Sequence, residues 1–98
     1  MDRVTAVKNK MQLRASLIFA KGGLEHQKPK GFFYIDEELA AAVGGKFEVL
    51  PTPAGMALII NEEAQKGSKE ENPLASAVLQ LPVFGDVLYT PPAFLRPL

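Results

Sequence analysis

Four sets of turn-forming residues, spaced along the second half of the chain, constrain its fold more than any other feature: Gly44-Gly45, Pro51-Thr52-Pro53-Ala54-Gly55, Asn72-Pro73 and Gly85-Asp86. Each stops one element or starts the next. Leu39, Ala40, Ala41, Ala42 and Val43 are helix formers, and Gly44 supplies the left-handed residue that ends a helix begun at Asp36. Asp36 is placed to cap that helix, with Glu37 and Glu38 in the first turn where the dipole favours negative charge. Two turns cannot persist alone, so Leu39 and Val43 have to be held by a sheet. Residues 46–50 and 56–60, joined by the proline-stiffened run, read as a hairpin. Its second strand, Ala57, Leu58, Ile59 and Ile60, is continuously apolar and so belongs inside a sheet. Asn72 and Pro73 form a cap and first-turn pair for a second short helix over residues 74–79, with Leu74, Val78 and, at the margin, Leu81 turned inward. Gly85-Asp86 then introduces a last strand at Val87-Leu88-Tyr89.

This order of Gly-Gly after a short helix, a strand closing in Asn61-Glu62, an Asn72-Pro73-Leu74-Ala75 segment and a final Gly85-Asp86-Val87 strand resembles the small phage- and plasmid-encoded family catalogued as domain of unknown function 3846. The resemblance spans residues 36–88, and it is carried by turn chemistry, which identifies a fold better than an activity. It implies a phage or mobile-element accessory factor. The basic first thirty residues and the Pro-rich tail are not part of the family pattern.

The first third reads less sharply. Residues 12–19 alternate, with Leu13, Ala15, Leu17 and Phe19 on one face, which predicts a half-buried strand. The aromatic and branched run Gly31-Phe32-Phe33-Tyr34-Ile35 reads as a second strand, apolar on both faces and therefore inside the sheet. Residues 1–11 read as a flexible lead-in, residues 12–90 as a single domain, and residues 91–98 as an extended Pro-rich tail. The polar run from Asn61 to Glu71 reads as a solvated loop, the most mobile internal segment. Together these elements predict a small α+β domain, a mostly antiparallel sheet of about five strands with two short helices on one face.

At 98 residues the chain has room for one domain, and one that buries only about 60 to 65% of the surface its unfolded form exposes. Hydrophobic residues at 47% argue against disorder. With no cysteine, disulfides and thiolate metal sites are excluded. Apolar runs are too short for a signal peptide core or a membrane span, which points to a cytoplasmic protein with no membrane partner. Net charge is zero, yet residues 1–31 carry Arg3, Lys8, Lys10, Arg14, Lys21, Lys28 and Lys30 against only Asp2 and Glu25, and the rest is acidic to the same extent. Either the two parts complement one another across the domain, or the basic third meets a phosphate-bearing partner. The overall balance and a pI near 6.6 weigh against a large nucleic-acid footprint.

Candidate sites follow from these patterns, each beside a plainer reading. Lys21, Gly22, Gly23, His26, Lys28 and Lys30 fall in one glycine-containing stretch that is able to cradle an anion, or simply to connect two strands. Asn61 and Asn72, with Glu62, Glu63 and Asp86, recur at strand ends and would converge on a rim; turn formation also explains them. Phe94, Leu95 and Leu98 either cover their own sheet edge or dock on a partner. Gly44-Gly45 needs no explanation beyond the helix end. His26 is the single histidine, so neither a catalytic triad nor a histidine metal site is expected, and no cofactor is indicated. The expected function is that of a non-enzymatic binding protein acting stoichiometrically, by inhibiting a host protein or sequestering a small nucleotide-like anion. A small enzyme with its site at a homo-oligomer interface is the alternative, and a nucleic-acid-binding accessory protein ranks third.

Overall fold

The computed structural model describes residues 14–67 and 69–96. The lead-in at residues 1–11 and Leu98 therefore lie outside the described residues. Five strands form one antiparallel sheet: β1 (Ala15–Ile18), β2 (Leu24–Gln27), β3 (Phe47–Pro51), β4 (Ala57–Asn61) and β5 (Val87–Thr90). They lie in the order β2-β1-β5-β4-β3, so the last strand in the chain is the middle one and joins the hairpins β1–β2 and β3–β4. Two helices, α1 (Asp36–Val43) and α2 (Pro73–Leu79), complete an α+β domain of the expected class.

Interior strands are apolar on both sides because both faces of the sheet are covered. Along β4, Ile59 packs with Ala15, Leu88 and the α1 residues Leu39 and Val43, whereas Leu58 and Ile60 pack with Ile18, Val87 and the α2 residue Ala75. The helices thus occupy opposite faces, which corrects the one-face arrangement expected from sequence. The same fact explains why β1 buries Ala15 and Ile18, residues of opposite parity, in place of the single Leu13 face.

Residues 31–35 do not form the predicted strand. Phe32 is 87% exposed and only Tyr34 is buried, packed edge-on against Phe94 with ring centroids 6.2 Å apart at 84°. In place of the interior strand expected there, the chain forms β2 at the sheet edge, whose residues 24–26 are exposed and therefore carry no hydrophobic alternation. Helix α1 starts after Ile35, and its cap is Glu38: one carboxylate oxygen accepts from the Ile35 N–H at 3.1 Å, the other from the Lys30 N–H at 3.3 Å. Asp36 is simply the first helical residue. At the other end Gly44, at φ +83°, donates to the Ala40 carbonyl at 2.8 Å and ends the helix as predicted.

Asn72 caps α2, accepting from the Ala75 N–H at 3.1 Å. The face of α2 that turns inward is Ala75 and Leu79, whereas Leu74 and Leu81 are exposed. Between β4 and α2 the polar run is not wholly solvated: a 3-10 turn (Ala64–Lys66) buries Ala64. After β5 the tail folds into a second 3-10 turn (Pro92–Phe94) that inserts Phe94 into the α1 side of the core. The Tyr34 N–H donates to the Phe94 carbonyl at 2.8 Å, fastening tail to loop.

Candidate functional site

Where β1 and β4 end and β5 begins, the chain opens a cleft of about 750 Å³, within the range of small-molecule sites. One wall is the β1–β2 turn with Phe19, Ala20, Lys21 and Gly22; the opposite wall is the last turn of α1 with Ala41, Ala42, Val43 and Gly44. Asn61, Ala64, Lys69, Glu70, Gly85 and Asp86 complete it. Small alanines on α1 leave the space open, and Gly85 does the same at the base. It has φ +84°, and a Cβ there would meet the Ala64 Cβ at 3.1 Å. The cleft carries two ammonium groups and two carboxylates, and the carbonyl end of α1 adds partial negative charge. Asp86 is already occupied, its Oδ1 accepting from the Ala20 N–H at 2.9 Å, which fixes the turn to the start of β5.

Both asparagines singled out from sequence hold this end of the sheet together. Asn61 donates from Nδ2 to the Val43 carbonyl at 3.0 Å and accepts at Oδ1 from the Ala64 N–H at 3.0 Å, tying β4 to α1. Asn72, fully buried, donates from Nδ2 to the carbonyls of Ile18 and Gly85, each at 3.0 Å. Gln65, which the sequence did not single out, donates to the Asn61 and Phe84 carbonyls at 2.9 and 2.8 Å and accepts from the Phe84 N–H at 2.9 Å. Of these side chains only Asn61 reaches the cleft wall. Burial without partners would cost each amide dearly, so their bonds account for their presence.

The glycine-containing stretch does not form one anion cradle. Gly22 donates to the Phe19 carbonyl at 3.0 Å and Gly23 accepts from the Phe19 N–H at 3.1 Å, closing the β1–β2 turn. Lys21 and Gly22 face the cleft, whereas His26 and Lys28 lie toward the other end of β2, and Lys30 sits by the start of α1. His26 meets Ser16 across the strands, Nδ1 to Oγ at 3.1 Å. Glu63 pairs with Lys66 at 3.2 Å on the surface. In the tail, Phe94 is buried and Leu95 half-buried against their own core, so both cover the sheet in the way a small domain requires. Lys69, Glu70 and the alanines of α1 are among the cleft residues that sequence reasoning missed. The Ala40-Ala41-Ala42 run was the available signal, since small residues at a helix end leave room.

Burial also isolates Tyr34. Its hydroxyl has no hydrogen-bond partner among the described residues, and burial, with the nearby Glu38 carboxylate adding to it, pushes its pKa up to about 12. Among the described residues no group of three or more His, Asp or Glu is placed to hold a metal, and no helix is long and apolar enough to cross a membrane. No protein-family model, no curated protein and no solved structure matches this chain.

Proposed function

We propose that this is a small non-enzymatic binding protein that captures a nucleotide-sized anion in the cleft between the β1–β2 turn and the end of α1. The observation that carries the reading is a cleft of about 750 Å³ with Lys21 and Lys69 among its lining side chains. Ammonium groups recognise phosphate as point charges. The Glu70 carboxylate and the partial negative charge at the carbonyl end of α1 suit the N–H groups of a base, and Phe19 and Ala42 offer apolar surface to its ring. Opposed charges in one cleft favour a ligand that is itself divided into an anionic part and a donor part. In this reading the protein acts in the cytoplasm by stoichiometric capture. The resemblance to domain of unknown function 3846 would make it a phage or mobile-element accessory factor, one that withholds its ligand from a host process or inhibits a host protein.

Isothermal titration against a panel of nucleoside mono-, di- and triphosphates tests this directly. One ligand is expected to bind with a stoichiometry of one. The double substitution Lys21→Glu with Lys69→Glu should weaken it by about a hundredfold, counting roughly tenfold for each charge contact. Ala42→Phe, which fills the cleft without altering charge, should also prevent binding. Absence of heat with every phosphate compound, or release of many product molecules per chain, would overturn the proposal.

A further inference from the structure

We infer that the β2 edge carries a second, separate site, which takes the phosphate backbone of single-stranded nucleic acid. The ladder pairs Ala15 with Gln27 and Ser16 with His26. One step further along that register, Arg14 stands opposite Lys28. These two exposed cations and His26 line a shallow recess of about 170 Å³ flanked by Gln27. Like charges placed opposite one another across a strand pair oppose folding. No carboxylate among the described residues forms an ion pair with either cation. Glu25 does not relieve them, because alternation along β2 sends it to the other face of the sheet. An arrangement that costs the fold something and leaves two cations unneutralised is explained when an anion lies between them. His26, whose Nδ1 lies 3.1 Å from the Ser16 Oγ, adds a ring N–H donor to the recess in the tautomer where the serine hydroxyl donates to Nδ1.

Beyond the recess the same stretch of chain holds Lys30 and then Phe32, the most exposed large hydrophobic residue described, at 87%. A projecting aromatic ring four residues from a phosphate-sized basic recess matches how single strands are held: cations follow the backbone and a ring stacks on a base whatever its identity. Lys28 to Phe32 spans at most about 13 Å of chain, so the footprint is short. That reconciles such a site with zero net charge, which argues only against a large one. A lipid headgroup offers the same phosphate to Arg14, His26 and Lys28, so binding to vesicles is the competing outcome.

The full chain is titrated into a labelled short oligothymidylate and followed by fluorescence anisotropy. Parallel arms use the matching duplex, inorganic phosphate as competitor, and sedimentation with phosphatidylserine vesicles. Binding to the single strand is expected, weakening about tenfold between roughly 50 and 200 mM salt as two to three phosphates are neutralised. Arg14→Gln with Lys28→Gln should remove most of that salt dependence, and Phe32→Ala should reduce affinity by about tenfold. All three positions are exposed, and circular dichroism verifies that the variants fold. The inference is overturned if the oligonucleotide does not bind at low salt. Unchanged affinity in both variants also overturns it, as does binding of vesicles in preference to the strand or of phosphate alone as tightly as the strand. Lys21→Glu with Lys69→Glu leaves this site intact, so its failure and that of the cleft are separable.

Discussion

The two ends of β1 use polar residues in opposite ways. At its C-terminal end Asn61, Gln65, Asn72 and Asp86 direct their side chains to backbone amides and carbonyls, joining β1, β4, β5 and both helices. At its N-terminal end Arg14 and Lys28 face each other with no ion-pair partner among the described residues, and His26 meets only a serine. Polar groups that are buried and bonded stabilise; polar groups that are exposed and mutually repelling cost stability, and invite a ligand. The asparagines looked like site residues in the sequence because turn chemistry and ligand chemistry use the same side chains.

The largest test of that contrast is Asn72→Ala. It removes a helix cap and leaves the Ile18 and Gly85 carbonyls buried without donors, so a loss of about 3 kcal/mol is expected, read as a thermal midpoint about 15 °C lower. A loss below about 1 kcal/mol would mean that water replaces the amide and the end is not pinned. Next, Asn61→Ala should lower stability in urea by about 2 kcal/mol; an unaltered midpoint would detach α1 from β4. Tyr34 supplies the exception, a buried hydroxyl with no partner. Its pKa in the folded chain, raised to about 12, exceeds the unfolded value of about 10. The stability it contributes is therefore complete below pH 10 and lost as pH rises through about 12. Tyr34→Phe should match or exceed the parent by up to about 1 kcal/mol at neutral pH and should flatten this alkaline decline, as followed by fluorescence melts. The smallest effect belongs to Lys28→Gln, which relieves repulsion and should raise stability by about 0.5 kcal/mol or less; a clear loss would show that Lys28 has a structural partner after all.

Much of the fold was legible because its signals are local. Gly44 ends a helix and Asn72-Pro73 starts one through bonds that reach three or four residues; Gly85-Asp86 was legible as a turn pair, although the Asp86 carboxylate bonds far along the chain to the Ala20 N–H. Residues 24–35 were misread for a converse reason. An edge strand exposed over residues 24–26 has no period to detect, and the aromatic run that looked like a strand contains one residue, Tyr34, that packs. Whether two helices share a face depends on the sheet order, which no local pattern in Leu74 or Leu39 encodes. The cleft was half visible: Lys21, Gly22, Asn61 and Asp86 were noted, but their meeting with Lys69 and Ala42 is a long-range event.

Strand order also dictates when this molecule can come into being. The middle of the sheet is Val87–Thr90, which follows both hairpins in the sequence, and it alone joins one hairpin to the other. During synthesis, each hairpin is made early and must wait, with Ile18, Leu58 and Ile59 wet, until that late segment arrives to be threaded between them. Assembly is thus a single late event dominated by distant pairings, and such events are slow. Any polypeptide interrupted before Val87 is left as two unjoined ribbons, open to proteases and to one another.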